Sequence, residues 1–175
     1  MLRRGLCVVL GFCLMFTCAC HSQGADSSVP VTTDFSCDAD IRYQDMSLQG
    51  KLSRSSAGTL SITFSQPETL NGVTAEWTGE TVKASLHGLS FELPPDTLPA
   101  GALGGVLTDA LDAALRTPTE GRLTQEGWQW EGTGQSGEII ILSDPADGYL
   151  LSLEVPEIPL SVSFSNFDQT KKDSP

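Results

Sequence analysis

Chemistry needs particular side chains at particular spacings, and this sequence offers few candidates. Gly132-Thr133-Gly134-Gln135-Ser136-Gly137 carries the glycine spacing of a dinucleotide loop, which works only when a helix comes next and presents its first backbone amides to phosphate. The next residues are Glu138-Ile139-Ile140-Ile141-Leu142, a strand pattern, so the glycines are expected in a hairpin loop. Asp144-Pro145-Ala146-Asp147-Gly148 could offer two carboxylates to calcium. It lacks the ligand run of a known loop and lies between two strand patterns, as a turn does. His21 falls in a polar leader and His87 beside a glycine, which leaves nothing for a histidine triad or a zinc site. No serine sits in a Gly-x-Ser-x-Gly elbow, and no two acids are marked as acid and base. Neither a catalytic residue nor a metal nor a cofactor is expected. Trp128 and Trp130 share one face of a strand, where they could form a platform for a sugar, a wall for an acyl chain, or plain core.

The N-terminus carries a different kind of information. Arg3 and Arg4 precede an uncharged apolar run from Gly5 to Phe16, and Thr17, Cys18 and Ala19 lead to Cys20. The run is shorter than the about 20 apolar residues of a membrane span, and it has the layout of an export signal. It resembles a bacterial lipoprotein signal, in which a small residue precedes the cysteine that becomes acylated. Ala19-Cys20 fits that resemblance better than Thr17-Cys18, although Thr17 stands where the family usually has leucine. The resemblance implies a signal peptide over residues 1–19, lipidation of Cys20 with palmitate-type acyl chains, and an extracytoplasmic place at a cell membrane or envelope. Residues 20–33 are then the lipidated cysteine and a polar tether, whose thirteen residues from His21 to Thr33 reach roughly 20 Å as a free chain. Residues 34–167 form the domain and 168–175 a frayed tail.

Charge agrees with that placement. The chain has 22 acidic and 10 basic residues, and loss of Arg3 and Arg4 leaves eight basic ones and a formal charge of −14. Nucleic acid is excluded as a partner, because phosphate backbones are gripped by Lys and Arg that displace counterions. An acidic domain also stands off an anionic membrane, so attachment falls to the lipid. Of five cysteines only Cys37 remains in the domain, and no disulfide framework is available. Phe35, Cys37, Ala39, Ile41 and Tyr43 alternate with polar residues, which places the thiol on the inner face of a half-buried strand.

The same period of two runs through most of the chain, and turns can be tested by asking whether apolar residues oppose apolar residues. A turn at His87–Gly88 opposes Leu86 with Leu89, Ala84 with Phe91 and Val82 with Leu93. Thr78–Gly79 opposes Ala75 with Val82, a loop at Ser55–Ala57 opposes Leu52 with Leu60, Pro156–Pro159 opposes Val155 with Leu160, and Gln44–Asp45 opposes Tyr43 with Met46. The expectation is an antiparallel meander of about ten strands, broken once between Leu93 and Leu123. Within the break, Leu103, Val106, Leu107, Ala110, Leu111, Ala114 and Leu115 fall on one stripe and predict an amphipathic helix over Ala100–Arg116, closed by Thr117–Pro118.

Geometry then dictates the fold. Ten strands at about 4.8 Å make a sheet roughly 43 Å across with one apolar face, whereas a helix is about 10 Å wide. Such a sheet must curl. The expected class is α+β, mostly β: a curled antiparallel meander, or half-barrel, packed on one amphipathic helix.

A leading Phe35-Ser36-Cys37-Asp38-Ala39 strand, strand starts at Gly50-Lys51-Leu52 and Gly58-Thr59-Leu60, Pro67 with Leu70-Asn71-Gly72, and Gly88-Leu89 together resemble the LolA and LppX group over roughly Phe35 to Leu93. That group has a half-barrel with a helical lid over a hydrophobic cavity. The chain departs from it in lacking a leading amphipathic helix, since Ser27 to Asp34 contains Pro30 and no helical period. The resemblance implies binding of acyl chains or another lipid-like ligand. The residues expected to line a cavity are Leu60, Ile62, Phe64, Val82, Leu86, Phe91, Trp128, Trp130, Leu153 and Phe164, with Leu107 and Leu111 beneath the helix. The alternative is a non-catalytic envelope interaction module, whose interior is filled and whose outer face or sheet edge meets a protein partner.

Overall fold

A computed structural model describes residues 31–99, 101–116 and 121–168. The signal peptide, Cys20, the tether up to residue 30, Ala100, the Thr117–Pro118 helix stop and residues 169–175 lie outside the described residues.

Among the described residues, eleven strands and one α-helix form the domain. The strands are β1 (Phe35–Tyr43), β2 (Met46–Arg54), β3 (Leu60–Gln66), β4 (Thr74–Trp77), β5 (Val82–Leu86), β6 (Leu89–Leu93), β7 (Gly121–Leu123), β8 (Trp128–Gly134), β9 (Gly137–Ser143), β10 (Leu150–Val155) and β11 (Leu160–Ser165). The helix, α1, spans Leu103–Arg116 between β6 and β7. All strands join one antiparallel sheet in the order β6-β5-β4-β3-β2-β1-β11-β10-β9-β8-β7. The chain therefore makes two meanders, β1 to β6 and β7 to β11, which meet where the first strand pairs with the last: Ile41 lies opposite Val162 and Tyr43 opposite Leu160.

The sheet curls, and α1 shows why. The helix packs against both β4 and β8, which stand seven places apart in the strand order. On a flat sheet they would be about 34 Å apart. A helix of 14 residues is about 21 Å long and cannot touch both unless the sheet wraps around it. The wrap stops short of closure, so β6 and β7 remain as the two edges.

Inside the curl, alternation holds strand after strand. Phe35, Cys37, Ala39, Ile41 and Tyr43 of β1 are buried while their neighbours face out, and Leu60, Ile62, Ile139, Ile141, Leu153 and Val162 continue the same inner face. From the helix, Val106, Leu107, Ala110, Leu111 and Ala114 close against them. Full burial of an aliphatic side chain stabilises by about 1.5–3 kcal/mol, so this stripe holds the helix in the trough.

Three expected turns have the expected register. Leu86 opposes Leu89 across His87 and Gly88, both at positive φ, with Ala84 opposite Phe91 and Val82 opposite Leu93. Tyr43 opposes Met46, and Val155 opposes Leu160. Two differ by two residues. Arg54, not Leu52, pairs with Leu60, because the loop is closed by a bond from the Ser55 amide to the Thr59 carbonyl and by Gly58 at φ +88. Trp77, not Ala75, faces Val82, because Thr78 binds Thr81 through both backbone and side chain. A shift of two keeps every side chain on its face, which is why alternation alone could not detect it.

The helix also starts later than expected, at Leu103 rather than Ala100. Gly101 lies before it, and the Ala102 amide bonds the Pro99 carbonyl in a turn that feeds the first helical bond, from Val106 to Ala102. The end of the expected tether is fastened down. Thr32 donates its amide to the Gly148 carbonyl, and Val31 packs on the core.

Candidate functional site

The glycine-rich segment forms a hairpin, with Gly134 opposite Gly137. Its tip docks on the helix through the Ser136 amide, which donates to Asp109 Oδ2 at 3.0 Å. Asp144 and Asp147 spend their carboxylates on the amides of Ala146 and Tyr149, as turn residues do. Cys37 is fully buried, and burial, with Asp38 adding to it and Lys51 opposing, pushes its thiol from 9.0 up to about 12. A thiol so held is neither nucleophile nor ligand at neutral pH.

What the structure does present is uncovered apolar surface. Because α1 reaches only from β4 to β8, the β5–β6 hairpin extends past it as a flap. Its inward row consists of Leu86, Leu89, Phe91 and Leu93, exposed by 37%, 79%, 63% and 38%. These residues share the sheet face of the core, since Leu93 lies opposite Val82 and Val82 opposite Trp77. At the other edge Leu123 of β7 is likewise exposed, opposite Trp128. This contiguous exposed apolar rim is the candidate site.

The trough beside this flap is bordered by Trp77 and the glycine-rich start of α1. A Cβ added at Gly104 would overlap the Trp77 indole, so only glycine lets the helix pass this close. Gly101 is held from the far side, its carbonyl accepting from the Tyr43 hydroxyl. Deeper in, Arg54 points inward from β2 and meets Asp112 of α1. Among the described residues, four buried side-chain polar atoms on both sides of the helix have no hydrogen-bond partner: Trp77 Nε1, Trp130 Nε1, Thr108 Oγ1 and Arg54 Nε.

No protein-family model and no curated protein matches the chain. Among solved structures, an uncharacterized conserved protein from Thermus thermophilus is similar at a TM-score of 0.49 and 14% identity, covering 79% of each chain. A LolA superfamily protein from Nitrosomonas europaea is similar at 0.42 and 10% identity, covering 86% of this chain and 91% of that one. A chain in the structure of the CwlD amidase from Clostridioides difficile in complex with the GerS lipoprotein is similar at 0.41 and 12% identity, covering 82% of this chain and 87% of that one. Likenesses of this degree assign no family, and the open curled sheet rests on its own strand order.

The expected lining residues divide into two groups. Leu60, Ile62, Phe64, Leu107, Leu111, Trp130, Leu153 and Phe164 are buried in one core cluster, and Val82 is buried outside it. Leu86 and Phe91 stand open on the flap, and Trp128 is half-buried over Gly121. Leu89 and Leu93 belong with the open group. Their signal was present in the His87–Gly88 register, which puts both on the inner face. Thr108, Gly104 and Arg54 had no comparable signal, because a polar residue or a glycine inside an apolar pattern reads as an interruption.

Proposed function

We propose that this chain is a membrane-tethered, extracytoplasmic lipoprotein that binds a hydrophobic ligand along the uncovered inner face, without catalysis. The observation that carries the reading is the continuity of Leu86, Leu89, Phe91 and Leu93 with the buried core across Val82 and Trp77. A ligand lying against α1 would extend that core outward and cover the flap. In this reading the segments that flank the domain, the tether HSQGADSSVP and the tail QTKKDSP, are polar and add no apolar surface to the flap. Among the described residues no helix is long and apolar enough to cross a membrane, and in this reading attachment falls to acylated Cys20.

Native mass spectrometry of the domain, produced as residues 21–175, is the test. A co-purified apolar molecule, displaced when Leu89 and Phe91 are both changed to Ser, is the expected result. A domain that is ligand-free and takes up no added fatty acid would overturn the ligand. Labelled palmitate incorporated by the full chain, and lost in Cys20→Ala, checks the anchor. A second reading, a protein partner docked on the flap, is favoured by the position of β6 as a sheet edge with free backbone groups. It predicts an empty domain whose flap becomes protected only in the presence of envelope proteins.

A further inference from the structure

Every residue of β6 is exposed, and among the described residues the strand is an edge of the sheet. The groups it offers there follow from the hairpin. Leu86 and Leu89 flank a two-residue turn and exchange both backbone bonds, and the exchange then alternates along the pair. Leu89, Phe91 and Leu93 therefore spend their amides and carbonyls on β5, and Ser90 and Glu92 turn theirs outward. Edges of this kind are ordinarily blunted by lysine, proline or a bulge. Leu89-Ser90-Phe91-Glu92-Leu93 has none of these, and its register with β5 is unbroken.

The strand is complementary to itself. Set antiparallel to a second β6 about a two-fold axis at Phe91, it brings Ser90 opposite Glu92 of the second copy, so that the outward amides and carbonyls of both strands pair. Phe91 then meets Phe91, and Leu89 meets Leu93, in the non-hydrogen-bonded positions where side chains approach most closely, all on the apolar face. Neighbouring registers lose these matches. An axis at Glu92 sets two carboxylates face to face and brings Ser90 to Pro94, which has no amide to donate. An axis at Ser90 runs Glu92 onto Gly88 of the turn and leaves Leu93 beside His87.

Charge selects the same surface. With a formal charge of −12, two copies of the chain repel one another over most approaches. The hairpin from Val82 to Leu93 holds one lysine and one glutamate, Lys83 and Glu92, which lie opposite each other and cancel. A neutral, apolar, self-matching edge on an acidic body fits its own copy.

We infer that two copies of this chain join through β6, antiparallel and centred on Phe91, into one continuous sheet. The pairing lies in the plane of the sheet and leaves the trough side of the flap open, so it goes beyond the ligand reading and does not depend on it. An edge of five residues makes a weak, reversible contact, which covalent capture reads.

The full chain with one added cysteine, oxidised with copper phenanthroline in intact producing cells and resolved on non-reducing gels, tests this. Phe91→Cys is expected to give a disulfide-linked dimer at least tenfold more abundant than the parent or Leu89→Cys gives. At the axis the two Cα atoms stand about 4.5 Å apart, within disulfide reach, whereas two copies of residue 89 are roughly 13 Å apart along the strands. Leu89→Cys and Leu93→Cys combined in one chain should restore linking. In the Phe91→Cys background, Ser90→Lys, which faces Glu92, is expected to raise the linking rate about threefold, and Ser90→Glu to lower it about threefold. The same two changes at Ser65, exposed on β3 away from the edge, should leave the rate as it was. Linking at residue 91 no greater than at residue 89, or insensitive to the sign of the charge at residue 90, would overturn the inference. So would capture of residue 91 on a protein of another mass.

Discussion

Arg54 and Asp112, 58 residues apart in sequence, meet at 2.5 Å, the arginine side chain 6% exposed and the aspartate 37%. One comes from the sheet and the other from the helix, so the pair fixes how α1 lies in the trough. Arg54 also donates from Nη1 to the Thr33 carbonyl, which ties the chain's approach to β1 into the same cluster.

Removing the acid strands a buried guanidinium. Asp112→Ala is expected to destabilise the domain by about 1–3 kcal/mol, the cost of leaving a buried donor unsatisfied, because only the arginine end of the pair is buried. Arg54→Met, which removes the charge but keeps the stem, is expected to be milder. Chemical denaturation of the three proteins checks the order. An Asp112→Ala domain as stable as the parent would mean that the pair plays no part in seating the helix.

The two glycines of the first helical turn should respond in opposite directions. A methyl at Gly104 would collide with the Trp77 indole, whereas Gly105 is exposed with nothing within 4 Å of an added Cβ. Gly104→Ala is expected to destabilise by roughly 1–3 kcal/mol through overpacking. Gly105→Ala should stabilise by about 0.5–1 kcal/mol through helix propensity. Thermal melts of both variants read the signs directly.

These contrasts show what a sequence pattern carries and what it omits. Alternation placed Ile41, Leu52, Ile62 and Leu153 on the inner face, because burial on a pleated sheet has a period of two that any single strand displays. It could not see that β1 and β11 would pair, since that contact joins opposite ends of the domain and no turn announces it. Nor could it tell a two-residue turn from a four-residue one after Trp77, because both leave the faces unchanged. The site was legible as a surplus of apolar sheet over helix. That the surplus would fall on the β5–β6 flap, while the other expected lining residues packed shut, depended on how far α1 reaches.

The flap itself separates stability from binding. Leu89 and Phe91 are largely exposed, so Leu89→Ser and Phe91→Ser are expected to change unfolding free energy by no more than about 0.5 kcal/mol. Ile62→Ala, at a fully buried position of the same inner face, should destabilise by about 2–5 kcal/mol. Uptake of a fluorescent fatty acid is expected to behave the other way, falling about fivefold or more in the flap variants. A flap variant with reduced stability and normal uptake would contradict both halves.

Cys37 makes the domain sensitive to alkali in a defined window. Its thiol titrates near 9.0 when free and near 12 in the fold, where burial disfavours the thiolate. The folded-state value is the higher one, so the stabilisation it brings is complete below pH 9.0, where both states keep the proton. Above that, the unfolded chain loses its proton first, and stability declines toward pH 12 with a slope approaching 1.4 kcal/mol per pH unit. Cys37→Ala removes this dependence while leaving a small void, so it should be less stable at pH 7 yet lose less between pH 9 and pH 11. Urea midpoints of the two proteins across that range decide the matter, and parallel curves would show that the thiol has no part in the alkaline loss. Iodoacetamide should correspondingly modify the parent at Cys37 only as fast as the domain opens.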